Sequence, residues 1–207
     1  MKITWLGHSC FMIEENGFSV IMDPYSPGSV PGYLPLDAEA DMVICSHGHG
    51  DHGAVDAVRK KEGGACPFKI TGIDSWHDEV KGAKRGPNRI TILEADGLKA
   101  VHMGDIGCEL EPEQYEALKG ADAVMIPVGG WFTAEPDVIK KMIDIIDPVV
   151  TIPMHFRTEA FGYPLIGTLD RYTDLCSNVK NYGNSIEITK GMEKQTAVLK
   201  PVFAPQK

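Results

Sequence analysis

Four strong metal-binding side chains fall within six residues in His47-Gly48-His49-Gly50-Asp51-His52. Neutral imidazole suits Zn, Fe or Ni, and an aspartate oxygen adds a harder ligand that also suits Mn. Glycines at 48, 50 and 53 let the backbone fold tightly enough for these side chains to converge. The apolar run Met42-Val43-Ile44-Cys45 comes directly before them. That pattern reads as a buried strand ending in a ligand-bearing loop, at the edge where open α/β sheets hold their ligands. The chain has seven histidines. Those outside the cluster, His8, His77, His102 and His155, each fall near the end of a strand-like run, a placement that a weakly metal-binding surface loop does not require.

The elements that position these residues are legible as patterns. Residues 2–6, 10–15 and 18–22 read as strands, with Asn16-Gly17 as a hairpin turn and Asp23-Pro24 closing the unit. Residues 25–40 carry enough proline and glycine to be a loop, 41–46 form the next strand, and 54–62 fit a short helix stopped by Gly63-Gly64. The plan then recurs: strand 90–94, turn Asp96-Gly97, strand 98–103, Asp105, and an Ala121-Asp122 strand echoing Ala40-Asp41. This repetition suggests an internally duplicated α/β domain. Residues 135–146 make the clearest helix, with Val138, Ile139, Met142, Ile143 and Ile146 on one face and Pro136 in the first turn. Strand 149–153, helix 168–176 and edge strands 186–188 and 197–202 complete the reading. Strands and helices in two similar halves predict an αββα sandwich, sheets inside and helices on both outer faces.

Size and composition are consistent with one globular domain spanning residues 1–207, with 43% hydrophobic residues. A net charge of -9 argues against general affinity for nucleic acid or anionic membrane. No apolar run approaches the roughly 20 residues of a membrane helix. Five scattered cysteines, among them Cys10 and Cys45 inside apolar runs, read as reduced thiols, so a cytoplasmic location is expected. A homo-oligomer is compatible with all of this.

The remaining polar motifs also follow strands: Ser75-Trp76-His77-Asp78, Met103-Gly104-Asp105 and Met154-His155. Together with H-x-H-x-D-H, this series resembles the metallo-β-lactamase superfamily over most of the chain. More narrowly, four segments resemble the branch that contains ascorbate-6-phosphate lactonase and many metal-dependent hydrolases. They are Trp5-Leu6-Gly7-His8-Ser9-Cys10, Asp23-Pro24, Gly129-Gly130-Trp131-Phe132-Thr133 and Pro153-Met154-His155-Phe156. The resemblance implies the four-layer sandwich of that superfamily and two divalent metal ions, Zn or Mn first, with Fe or Ni also compatible. It places His47, His49 and His77 on one metal, Asp51, His52 and His155 on the other, and Asp105 between them. Asp23 would support the loop by hydrogen bonds. Several true β-lactamases carry cysteine where this chain has Asp105, and no secretion signal is read at the start, so antibiotic hydrolysis is not expected.

Two histidines stay open on the sequence. Alternation along 98–103 sets His102 with Leu98 and Ala100, so His77 is favoured as the ligand. His102 is then either a pocket-lining residue or a structural one. His8 could reach substrate or be structural. Two cations about 4 Å apart would acidify water, with Asp51 or Asp105 taking the proton as that water attacks a carbonyl or phosphorus centre. The expectation is a hydrolase of an ester, lactone or phosphoester. Its rivals are a dinuclear-iron redox protein, a phosphodiesterase or nuclease of the same fold, and a structural zinc protein. Trp131, in the Gly-Gly-Trp-Phe-Thr stretch, is expected to wall the pocket. The basic stretch 81–89, with Lys81, Lys84, Arg85 and Arg89, points to a small anionic substrate gripped by Arg85.

Overall fold

The computed structural model describes residues 1–61 and 63–205. Strands β1 (Lys2–Gly7), β2 (Cys10–Glu15), β3 (Phe18–Met22), β4 (Ala38–Ala40), β5 (Met42–Ile44) and β6 (Val58–Lys60) make up the first part. Then come β7 (Lys69–Trp76), β8 (Pro87–Ala95), β9 (Leu98–His102), helix α1 (Pro112–Leu118), β10 (Ala123–Pro127), helix α2 (Pro136–Ile146) and β11 (Val150–Met154). Helix α3 (Asp170–Thr173), β12 (Val179–Asn181), β13 (Ser185–Glu187) and β14 (Gln195–Val198) complete the order. A five-stranded sheet, β13-β1-β2-β3-β5, faces a seven-stranded one, β12-β14-β11-β10-β9-β8-β7. The small pair β4-β6 stands apart.

The expected repetition is visible in the pairing. β2 and β3 form an antiparallel hairpin beside which β5 runs parallel. β8 and β9 form another, with β10 parallel to β9. In each sheet the strands ending at the polar motifs therefore run the same way, and their C-terminal edges collect those motifs.

Alternation assigns the faces. Ile3, Trp5, Phe11, Ile13, Val20 and Met22 turn into the large core shared with the seven-stranded sheet. Leu6, Cys10, Ile21 and Val43 turn the other way, against Tyr25, Val30, Tyr33 and Ala204. The apolar face of α2, with Ile139, Met142 and Ile146, packs into the large core, as do Leu118 of α1 and Tyr172 of α3. Among the described residues the helical layer thus lies on the seven-stranded side. The outer face of the other sheet is covered by the loop after β3, where proline and glycine exclude a helix.

Several boundaries differ from expectation. The helix read at 54–62 is a single 3-10 turn, Val55–Ala57, running into β6. Val58 is buried and Arg59 and Lys60 are exposed, so no apolar helix stripe exists, and the backbone finds its hydrogen bonds by pairing with β4 instead; Glu62 lies outside the described residues. The helix read at 168–176 is regular only over Asp170–Thr173. Beyond it Leu175 and Cys176 bond back to Tyr172 and Thr173 in tight turns. The strand read at 197–202 is β14, which instead spans Gln195–Val198 and is interior rather than an edge, because β12 pairs on its far side. Strand 41–46 is cut to three residues and leaves Cys45 half-buried, whereas Cys10 is fully buried. All five cysteines are free thiols. No helix among the described residues is long and apolar enough to cross a membrane.

Ile126 sits in the central strand β10 at 0% exposure. Replacing it by Ala should lower the unfolding free energy by about 2–5 kcal/mol, measured by urea titration. A loss under 1 kcal/mol would mean the core between sheet and helices is loosely packed there.

Candidate metal centre

Seven strand ends converge on one place. His8 follows β1, Asp23 follows β3, His47 to His52 follow β5, and His77 follows β7. Asp105 follows β9, Gly129 to Phe132 follow β10, and His155 follows β11. The donor atoms of His47, His49 and His77 all lie within 4.8 Å of one another, as do those of His8, Asp51, His52 and His155. Asp105 Oδ2 lies between the groups, 3.3 Å from His77 Nε2, 3.1 Å from His52 Nε2 and 3.2 Å from His155 Nε2.

The orientation of the imidazoles is fixed from behind. Asp23, wholly buried, accepts from Ser46 N at 2.6 Å, from Ser46 Oγ at 2.6 Å and from His52 Nδ1 at 2.8 Å. The Ser46 hydroxyl proton is thereby used, so in the 2.9 Å contact between Ser46 Oγ and His47 Nδ1 the histidine is the donor. Both His47 and His52 then present Nε2 lone pairs to the centre. In the second sheet Asn88 plays the matching part. Its Oδ1 accepts from Asp105 N at 2.9 Å, and its Nδ2 donates to Ser75 Oγ and Met103 O. The chain bends at Gly104 (φ +56°), where a Cβ would come within 2.2 Å of Asn88 Oδ1.

Nε2 of His47 and His52, Nδ1 of His77 and His155, both ring nitrogens of His8 and Oδ1 of Asp105 are buried without a hydrogen-bond partner. Buried polar atoms are rarely left so, and lone pairs converging from imidazoles and carboxylates are the donor set a divalent cation requires. The residues therefore fit a metal. Electrostatics agree for His47 and His8. Burial, then His52, lowers His47 to about 3. Burial, then His155, lowers His8 to about 4. Both rings are thus neutral at ordinary pH. Burial would lower His52 too, but Asp105 and then Asp23 outweigh it and raise that ring, so a cation at its Nε2 would have to displace a proton. Burial would raise Asp105, but His155 and His52 outweigh it and hold the carboxyl well below the usual range.

A cavity of about 330 Å³ opens over this cluster, lined by His49, Asp51, His77, Arg85, Asp105, Phe132, His155 and Tyr163. Arg85 reaches it because buried Asp78 organises the preceding loop, accepting from the backbone N–H of Val80, Gly82, Lys84 and Arg85. Burial would raise the Asp78 pKa, but these donors, Arg85 first, lower it. The guanidinium carbon stands 5.7 Å from the Phe132 ring centroid, and Nη2 donates to Trp131 O at 3.1 Å.

Two open readings are resolved and one expectation changes. His102 does not reach the cavity: it is 1% exposed, its Nε2 donates to Ser9 O at 2.8 Å, and its Nδ1 accepts from Gly104 N at 3.1 Å. With both nitrogens used it is a structural histidine. His8, at 0% exposure, lies behind the cavity wall with the donor groups and not against substrate space. Trp131 points outward, 57% exposed, because Gly130 and Trp131 both adopt left-handed backbone and deliver the next ring, Phe132, to the cavity instead. Sequence reasoning missed Tyr163, whose hydroxyl donates to Ser29 O and lies 3.3 Å from Asp51 Oδ2. It also missed Asn88. Both are isolated polar residues without a local pattern.

This sequence and fold match known proteins. The β-lactamase superfamily domain profile matches residues 2–155, and the chain belongs to the metallo-β-lactamase superfamily. It is 25% identical to a UPF0173 metal-dependent hydrolase of Archaeoglobus fulgidus, over 97% of this chain and 96% of the relative. A UPF0173 metal-dependent hydrolase of Methanoculleus marisnigri is 29% identical over 94% of this chain and 99% of its own. Among solved structures, a candidate Zn-dependent hydrolase of the same superfamily from Thermotoga maritima superposes with a TM-score of 0.75 at 29% identity, covering 96% and 98% of the two chains.

Asn88→Ala should weaken metal binding by about 10- to 100-fold, as loss of a residue supporting a ligand does, read by chelator competition. Unchanged affinity would show that Asp105 needs no anchor. Phe132→Ala should raise KM while Trp131→Ala leaves KM and melting temperature nearly unchanged; the reverse pattern would contradict the assignment of the rings.

Proposed function

We propose that this metal-dependent hydrolase cleaves an ester, lactone or phosphoester bond in a small anionic substrate, using two divalent ions, Zn or Mn. His47, His49 and His77 would hold one ion, Asp51, His52 and His155 the other, and Asp105 would be shared. The observation that carries this reading is the position of Asp105 Oδ2, 3.1–3.3 Å from histidines of both groups, on the floor of a cavity that Arg85 also lines. When bound, the ions supply Lewis acidity, polarising the scissile group and acidifying water.

The chain's own residues do the rest. Asp51 lines the cavity and is the more accessible carboxylate, 17% exposed against 2% for Asp105. Burial would raise its pKa, but His8 and His52 outweigh that and lower it. It is therefore a weak base that orients the attacking water by accepting its hydrogen bond. Phe132 and Tyr163, 5.7 Å apart edge to face, wall the cavity against bulk water. Arg85 holds the anionic group, its guanidinium oriented by Phe132 and the Trp131 carbonyl.

Arg85→Ala should raise KM about 10- to 100-fold for a phosphorylated or carboxylated substrate, the worth of a charge-assisted hydrogen bond, and about twofold or less for a neutral analogue. Equal effects on both would remove the anion from the proposal. Asp105→Ala should abolish uptake of both metal equivalents by elemental analysis. Loss of only one would show that Asp105 is not shared.

A further inference from the structure

His8 has the environment of a ligand. It is fully buried, and neither ring nitrogen meets a hydrogen-bond partner in the protein. Its Nε2 is 3.4 Å from Asp51 Oδ2, and its ring centroid is 4.2 Å from that of His155 and 5.3 Å from that of His52. Donors about 2.1 Å from one ion, as imidazole nitrogens are on zinc, lie about 3.0–3.4 Å apart at adjacent positions. The contacts among Asp51, His52, His155, Asp105 and His8 fall in or near that interval, at 3.1 to 3.7 Å.

The backbone holds the ring there at some expense. His8 has φ +52°, a region that costs a non-glycine residue about 1–3 kcal/mol and persists where its surroundings over-determine it. They do so here: the His8 carbonyl accepts from Trp5 Nε1 at 2.8 Å and from His155 N at 3.4 Å. Strand β1 is thus tied to the end of β11, and His8 moves with His155. Tyr33 and Tyr163 meet the ring edge to face, with centroids 6.3 and 5.7 Å away, and the ring is closed off from solvent at 0% exposure. A buried imidazole whose Nδ1 meets nothing and whose Nε2 has only the long 3.4 Å contact with Asp51 is destabilising unless a nitrogen binds something.

We propose that His8 is a further metal-ligating residue, completing the second pocket with Asp51, His52, His155 and the shared Asp105. This rests on the dinuclear reading above. It makes that pocket richer in protein donors than the His47-His49-His77 pocket, so the second ion is the more tightly held.

The test is proton NMR of the protein loaded with two equivalents of Co(II), in which each ligating histidine with a protonated second nitrogen gives one strongly shifted, exchangeable imidazole N–H signal. His47, His49, His52, His77, His155 and His8 should give six in the wild type. His8→Gln and His8→Asn, taken as a pair in case one folds poorly, should lack one signal and bind the second equivalent at least tenfold more weakly. Five signals in the wild type, or an unaltered set in a folded variant, overturns the assignment while leaving the dinuclear reading intact. Signals from His47, His49 and His77 alone would overturn both. The wild-type count decides the matter even if neither variant folds.

Discussion

A carboxylate cannot be stripped of water without donors to replace it, and Asp23, at 0% exposure, has its donors from one short stretch of chain: Ser46 N, Ser46 Oγ and His52 Nδ1. The loop that carries His47, His49 and Asp51 is closed on itself by bonds from His52 N and Gly53 N to His49 O and tied outward by Ser26 N to Gly50 O and Arg89 N to Ser46 O. Asp23 adds the buried side-chain anchor that holds both ends of the ligand stretch, Ser46 and His52. Its hydrogen bonds also settle which nitrogen each of His47 and His52 offers. One buried group thus anchors position and tautomer together. Asn88 does the corresponding work for Asp105 in the other sheet. The two sheets meet where the residue held by Asn88 approaches the one held by Asp23, at 3.1 Å.

The polypeptide reaches these positions through costly backbone. His8, Asp23 and His155 have φ of 52°, 46° and 54°, all left-handed. Each is the first or second residue beyond a strand whose neighbours are almost wholly buried. The strain turns a side chain abruptly out of the strand's alternation and toward the edge, and the packed strands behind supply the stability that tolerates it. Left-handed non-glycine residues on three different strand ends around one cluster of donor groups are a mark of function independent of any ligand count.

Much of this was legible in the sequence because metal ligands, turns and strands all leave local patterns. His47 to His52, Asp105 and His155 follow apolar runs, and the two hairpins announce themselves through Asn16-Gly17 and Asp96-Gly97. What was not legible depends on contacts between distant segments or on a single dihedral. Nothing near Tyr163 predicts that the loop after β11 returns over Asp51. The left-handed pair Gly130 and Trp131 exchanges the expected ring for its neighbour. His102 carries the right chemistry, but Ser9 and Gly104 occupy both its nitrogens. β14 is interior only because the short β12, too brief to show periodicity, pairs beyond it.

The free positive charge available for the proposed anion recognition is also narrower than the basic stretch suggested. Lys84 is paired with Glu79 and Arg89 with Asp74, so much of the positive charge of residues 81–89 is answered within its own surroundings. Arg85 is the basic residue that lines the cavity. With a net charge of -9 on the chain as a whole, long-range attraction of an anion is weak or unfavourable, and steering by the protein's overall field cannot supply it. On the proposed function, selection would be made at contact distance, by the Arg85 guanidinium and any cation held beneath it, where screening by salt is small. Asp78 makes that selection depend on the metal site's own frame. It is the residue after His77, and its four backbone bonds fix the loop that ends at Arg85. The turn that carries His77 and the loop that places Arg85 at the cavity are therefore one structure.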